Sequence, residues 1–293
     1  MDSALTTIGL PIALGIIMFG LGLDLTLGDF RRVARTPKAV TIALVCQLVL
    51  MPAICFGLVV VFDLPALLGI GMLLLAASPG GTTAALFSHL FRGDVALNIS
   101  LTAINSVIAV FTLPLITRAA IAFYDRQDEV AMPLDEIVKV FALIILPVGL
   151  GMLVRDRRPA FAAAMDRPVR IGSAVILAVL VIGILVDQRA EVGDYLADIG
   201  LVAALFCALS LVVGYAVPRA LGISGPQSIS SSMEIGVHNS TLAIFVAVEV
   251  LDSTEISVPA AVYSIIMFVF AALWGSWVAR RVRADEPAPA VAA

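Results

Sequence analysis

The sequence predicts an all-α polytopic membrane protein, with nine transmembrane helices built as an inverted repeat around two broken helices. Three observations lead there. Hydrophobic residues make up 61% of the 293-residue chain, charged residues 14%, and the mean hydropathy is +1.07. A soluble domain carries about 45–50% apolar and about 25% charged residues, so this chain is too apolar for water. The basic residues then sort to alternate gaps between the apolar segments. Finally, two of those segments, five apart in order, are interrupted by Pro, Gly and polar residues at bilayer depth.

A transmembrane helix needs about 20 apolar residues. Nine segments qualify: 4–23, 39–62, 66–90, 95–117, 134–154, 170–186, 196–217, 227–250 and 256–279. Residues 1–283 thus read as one transmembrane domain, and no stretch is long enough for a second, soluble one. The longest polar gap, 118–133, is expected to form a surface helix. The tail 284–293, short and rich in Pro and Ala, is expected to be disordered. The first apolar stretch lacks a basic n-region, so it reads as a span and not as a cleaved signal peptide. Cys46, Cys55 and Cys207 all fall inside apolar stretches and suggest neither disulfides nor a metal pattern. A net charge of −4 implies no nucleic-acid partner.

Orientation follows from Lys and Arg, which concentrate on the cytoplasmic side. With the N-terminus outside and the C-terminus in the cytoplasm, the inner loops hold Arg31, Arg32, Arg35, Lys38, Arg92, Arg155, Arg157, Arg158, Arg167, Arg170, Arg219, Arg280, Arg281 and Arg283. Only Arg118, Arg126, Lys139 and Arg189 fall outside, among the acidic residues Asp125, Asp128, Glu129, Asp135, Glu136, Asp187, Glu191, Asp194, Asp252 and Glu255. An eight- or ten-span reading scrambles this asymmetry. The excess of Arg over Lys and the abundance of Ala point to a GC-rich bacterial genome, hence to a bacterial inner membrane.

Span 3 carries Ser78-Pro79-Gly80-Gly81-Thr82-Thr83 at its middle. Pro removes a backbone donor and clashes with the preceding turn, and two glycines follow. Span 8 carries Ser230-Ser231-Ser232-Met233-Glu234-Ile235-Gly236-Val237-His238-Asn239-Ser240-Thr241. Irregular backbone at that depth survives only where it is buried in protein or lines a cavity. Were the polar stretch an extramembrane loop, the apolar run after it (Leu242–Leu251) would be too short to span alone. Spans 3 and 8 cross in opposite directions, and broken helices in corresponding positions of two halves mark inverted-repeat transporters. Spans 5–9 form a five-helix unit with its fourth member broken; spans 1–4 match it if the first repeat lacks its opening helix. Half-helix N-termini expose NH groups to anions, and half-helix C-termini and free carbonyls attract cations.

The two interruptions, SPGGTTAALFSHLFRGDVALNIS (78–100) and SSMEIGVHNSTLAIFVA (231–247), resemble the bile acid:sodium symporter family, as do LGIIMFGLGLDLTLGDF (14–30) and QLVLMP (47–52). The resemblance runs in order over nearly the whole chain. It implies a core domain around two crossed broken helices, spans 2–4 and 7–9, and a flatter panel domain of spans 1, 5 and 6. Some bacterial members have an extra opening helix, and this chain is expected to begin after it. The implied activity is sodium-coupled symport of an organic anion, bile-acid-like or a small carboxylate, by alternating access.

The residues themselves single out Glu234. A carboxylate near the bilayer centre costs roughly 2.5–3.5 kcal/mol on insertion scales and is functional by default. The resemblance implies that this glutamate is shared between two sodium sites. One would use Gln47, Glu234, Ile235, Val237 and His238, with sodium held chiefly by Glu234 and Gln47. His238 stands where the family usually has glutamine; imidazole suits sodium poorly, although its backbone carbonyl would serve, and its ring would titrate between pH 5 and 8. The other site would use Asn98, Thr102 and Glu234, but a Ser-Asn pair expected after PGGT is Ala84-Ala85 here, removing two oxygens. One sodium ion, or a proton, is therefore expected to couple transport. Thr82, Thr83, Asn239 and Ser240 open the second half-helices and suit a substrate carboxylate, or alternatively cap those helices. His89, beside Arg92-Gly93-Asp94, reads as interfacial, as do Asp24 and Asp29.

Three other classes compete with a symporter. A Na⁺/H⁺ exchanger would rely on Glu234, yet such antiporters usually carry paired acids and one is visible. An enzyme would need a nucleophile with its base, or ligands at metal spacing; Ser231 and Ser232 near His238 lack that context. A receptor without transport is the third. Beyond the coupling ion no cofactor is expected; the partners are the organic anion, sodium and the lipid bilayer.

Overall fold

A computed structural model describes residues 10–126, 134–187 and 192–285. The described residues are helical apart from short turns and one isolated β-bridge. The helices run α1 (Leu10–Asp24), α2 (Leu27–Val33), α3 (Pro37–Val45), α4 (Met51–Val61), α5 (Ala66–Ala77), α6 (Thr82–Leu90) and α7 (Val95–Phe123). They continue with α8 (Leu134–Arg157), α9 (Pro159–Asp187), α10 (Val192–Ala220), α11 (Gly225–Gly236), α12 (Ser240–Phe245) and α13 (Thr254–Asp285). Among the described residues, five segments are long and apolar enough to cross a membrane: Pro37–Val61, Val95–Phe123, Pro159–Ile184, Asp198–Ala220 and Thr254–Val282. Pro11–Asp24, Ala66–Ala77 and Ser240–Val250 are apolar but shorter. The described residues thus form the all-helical fold of a polytopic membrane protein.

Several boundaries differ from the sequence reading, each for a local reason. The gap 118–133 was expected to hold a surface helix; instead α7 continues to Phe123, and 127–133 lie outside the described residues. Helix α9 starts at Pro159, well before residue 170, because Pro suits the first turn of a helix and the charged residues that end an apolar window do not end a helix. Helix α13 includes Ala284 and Asp285; the remainder of the expected disordered tail lies outside the described residues, as do Asp128, Glu129 and Glu191.

Pro52 shapes the segment 37–61. Its ring cannot accept the carbonyl four residues back, and the helix widens into a π-turn, Cys46–Leu50, in which Met51 N–H reaches Cys46 O. Gln47 sits in that turn, as side chains at π-turns in functional sites commonly do. A second π-turn, Val246–Val250, follows α12.

Burial separates an inner from an outer set. On α9, Ile171, Val175, Val179, Ile182 and Val186 recur every three to four residues and are exposed; Ile265, Val269 and Leu273 do the same on α13. Such apolar stripes suit lipid. By contrast α5 is buried from Leu68 to Ala77, and α11 from Ser228 to Gly236 although it is rich in Ser and carries Glu234. Ser232 Oγ donates to Leu211 O at 2.6 Å and accepts from Trp274 Nε1 at 3.0 Å, whereas Ser228 Oγ and Ser231 Oγ have no hydrogen-bond partner among the described residues. Small residues let the helices meet closely. A Cβ on Gly22 would strike Val148 O of α8, and one on Gly71 would strike Ile256 O of α13. Helices α1, α8 and α9 pack on one another.

Candidate functional site

The site is built by two helix breaks that complete each other. Pro79 forces the residue before it out of the helical region; Ser78 is extended, at φ −72° and ψ 144°, and α5 stops. Helix α11 stops at Gly236, where Val237 turns to φ −112° and ψ 79°. The freed backbone groups then pair across the gap. Gly81 N–H donates to Val237 O and Asn239 N–H to Pro79 O, each at 2.8 Å, so that Gly80 and His238 form an antiparallel bridge. Buried backbone groups need such partners.

Glu234 is fully buried one turn before this bridge. Its carboxylate accepts from Thr102 Oγ1 at 2.6 Å and Asn105 Nδ2 at 3.1 Å. Gly80 lies so close that a Cβ there would overlap the carboxylate. Among the described residues its hydrogen-bond partners are neutral. One turn lower, Asn98 Nδ2 donates to Ser230 O at 3.0 Å. Ser230 also donates to Asp94 O at 2.8 Å and shares a 2.7 Å bond with Ser88 Oγ. Helices α7 and α11 are therefore joined by a polar ladder, Asn98 to Ser230 and Thr102 to Glu234.

Gln47 and His238 meet on a different atom. Gln47 Nε2 and His238 Nδ1 both lie 3.1 Å from Ser78 O. A carbonyl only accepts, so His238 Nδ1 donates to it; among the described residues His238 Nε2 and Gln47 Oε1 are buried without a hydrogen-bond partner. The ring stacks on Phe206, centroids 5.6 Å apart, and meets the edge of Tyr263. Ile235 and Val237 are fully buried. The Val237 carbonyl is engaged by the bridge, and that of His238 accepts Ser240 N–H at 3.0 Å.

On the other side of the bridge lies a cavity of about 390 Å³. Gly81, Thr83, His238, Asn239, Ser240, Thr241, Ser173 and Ser264 line its polar part, and Leu177, Val181, Ile265, Met267 and Phe268 its apolar part. Of the four residues expected to meet substrate, Thr83, Asn239 and Ser240 are here. Thr82 begins α6, its side chain outside the described set. Capping falls to Asn239, whose Oδ1 accepts Leu242 N–H at 3.1 Å; among the described residues Ser240 Oγ has no hydrogen-bond partner. His89 is exposed at the end of α6, and Asp29 accepts from Thr26 N and Oγ1 at 2.8 and 2.7 Å.

Sequence reasoning missed Asn105. The signal was available: Asn98, Thr102 and Asn105 are spaced i, i+4, i+7, on one face of a largely apolar helix. It also missed Ser78 O, a backbone atom that no side-chain pattern reveals.

Known proteins place the chain clearly. The profile of the Sodium Bile acid symporter family matches residues 11–194. The "Uncharacterized sodium-dependent transporter YocS" of Bacillus subtilis is 26% identical over 256 residues, covering 87% of this chain and 78% of that protein. The "Ileal sodium/bile acid cotransporter" of Oryctolagus cuniculus is 25% identical over 277 residues, 93% of this chain and 79% of that one. The "Probable sodium/metabolite cotransporter BASS1, chloroplastic" of Arabidopsis thaliana is 28% identical over 270 residues, 90% of this chain and 66% of that one. These are transporters and cotransporters, not enzymes. The chain belongs to the sodium bile acid symporter family.

Proposed function

We propose that the chain is a sodium-coupled symporter that carries an organic anion across a bacterial inner membrane by alternating access. One observation carries the reading: a fully buried carboxylate with neutral partners stands on one side of the bridged breaks, and a cavity with a polar and an apolar part stands on the other. A buried carboxylate without a counter-charge is costly, and a cation resolves that cost. Gln47, Glu234, Ile235, Val237, His238, Asn98 and Thr102 are the proposed cation-site residues. The unpartnered oxygens Gln47 Oε1 and Asn98 Oδ1 suit a hard cation. Thr83, Asn239 and Ser240, with Thr82 beside them, are proposed to hold the substrate carboxylate, and the apolar wall its carbon skeleton.

The topology proposed with this is nine spans, N-terminus outside, in two inverted repeats, spans 1–4 and 5–9. The mutual packing of α1, α8 and α9 supports a panel of spans 1, 5 and 6 moving against a core of spans 2–4 and 7–9. The cavity lies between α1 and α9 on one side and the breaks and α13 on the other, where such a movement would open and close it. Counterflow in proteoliposomes tests the reading: bile acids and small carboxylates are offered with Na⁺, then with choline in its place. Exchange should require Na⁺ and vanish in Glu234→Ala, while the variant still inserts and purifies. Exchange by that variant at the wild-type rate would refute the assignment.

A further inference from the structure

We infer that Asn105 is itself a ligand of the coupling cation, its amide oxygen joining Glu234 where Ala84 and Ala85 supply none. The inference rests on the reading of Glu234 as the cation-binding carboxylate. Four observations support it. Asn105 is 1% exposed, inside a long apolar helix where an amide has no solvent to turn to. Its Nδ2 already reaches Glu234 Oε1 at 3.1 Å, so the amide touches the carboxylate that the cation would occupy. Among the described residues its Oδ1 is buried without a hydrogen-bond partner, and so is Oδ1 of Asn98, two turns below on the same helix face. Thr102, between the two, binds the second carboxylate oxygen.

An asparagine amide carries a donor and an acceptor at opposite ends of one rotatable group. Facing a bare carboxylate, it must present N–H. With a cation seated at that carboxylate, N–H is repelled, and half a turn about the last side-chain bond brings Oδ1 in. The residue then serves both states: as donor it stabilises the empty site, and as oxygen ligand it completes the filled one. Hard cations take oxygen donors in just such mixed sets of carboxylate, amide and hydroxyl.

The alternative is a positioning role, in which only the N–H matters. Aspartate separates the two, because it keeps the oxygen and removes the donor. The test is thermal unfolding of the purified protein against NaCl, with choline chloride holding ionic strength constant. Asn105→Leu should raise the Na⁺ concentration for half-maximal stabilisation at least tenfold, and Asn105→Asp should return it to within threefold of wild type. A wild-type response from Asn105→Leu, or an aspartate variant no better than the leucine one, overturns the inference. Should Asn105→Leu fail to fold, Asn105→Asp against wild type decides alone: a response within threefold supports the ligand role, and its loss overturns it. Glu234→Gln tells the two levels apart. If it abolishes the Na⁺ response while Asn105→Leu keeps it, only the role of Asn105 falls; if it too responds like wild type, the cation reading of Glu234 falls with it.

Discussion

Gly80→Ala tests whether the first break is glycine for its shape or for its space. Gly80 has no left-handed backbone, since among the described glycines only Gly222 has positive φ, at 79°. Alanine could adopt its conformation. What alanine cannot do is fit: its methyl would overlap the Glu234 carboxylate. To make room the carboxylate must leave Thr102 Oγ1 at 2.6 Å and Asn105 Nδ2 at 3.1 Å. Hydrogen bonds to a charged group contribute about 1.5–3 kcal/mol each, so losing both costs about 3–6 kcal/mol. Partial relaxation leaves the low end, a loss of about 3 kcal/mol of stability in the cation-free protein. Gly81→Ala is the control, because its methyl would meet His238 O at 3.4 Å, ordinary contact, and its backbone is extended at φ −87° and ψ 166°. Thermal unfolding in detergent without Na⁺ should place Gly80→Ala about 3 kcal/mol below wild type and Gly81→Ala within about 1 kcal/mol of it. Equal effects of the two alanines, or a wild-type response from Gly80→Ala, would refute the argument from space.

Three further predictions follow from the same geometry. Ser230→Ala removes the bonds to Ser88, which is buried, and to Asp94 O, which is half-buried; it should lower stability by about 1–3 kcal/mol, read as a lower unfolding temperature with an unchanged Na⁺ midpoint. Cysteine labelling in a background lacking Cys46, Cys55 and Cys207 should find Thr254→Cys reactive from outside and Arg158→Cys from the cytoplasm; the reverse pattern would overturn the orientation. If cation and anion sites are coupled, reciprocity requires each ligand to raise the affinity for the other by the same factor, which paired calorimetric titrations check.

The breaks were legible in the sequence because they violate their surroundings. Pro79 and the polar run around Glu234 stand inside stretches that otherwise read as uninterrupted helix, and half-helices α5, α6 and α11 fall within two residues of the spans drawn from hydropathy. Charge at the ends of segments was less informative. Arg167 and Arg170 hide the start of α9, since a helix leaving the bilayer loses its apolar signal before it loses its hydrogen bonds. Thr102 and Glu234 were assigned to one site and are hydrogen-bonded to each other. Gln47 and His238 were assigned to a site with Glu234, but among the described residues their shared partner is Ser78 O. That meeting point is a peptide carbonyl, chemically the same in every residue, so only the path of the chain can select it. Asn105 differs in kind: its spacing from Asn98 and Thr102 was visible, but hydropathy averaged over α7 conceals a single polar face.

The bridge between the breaks gives the proposed coupling a physical form. Successive residues of an extended segment point to opposite sides. Gly80 accordingly lies against the Glu234 carboxylate, while Gly81 lines the cavity with Asn239 and Ser240. The two sides share the same backbone hydrogen bonds, Gly81 N–H to Val237 O and Asn239 N–H to Pro79 O. A displacement of Glu234 toward or away from Gly80 therefore acts on the strand whose next residue forms the cavity wall. Were the breaks independent kinks, each freed backbone group would need its own partner, and a change at the carboxylate could end at α11. Because they are paired, one break cannot shift relative to the other without straining the bonds they share, and under the proposed function an ion on one side would bear on the shape offered to an anion on the other.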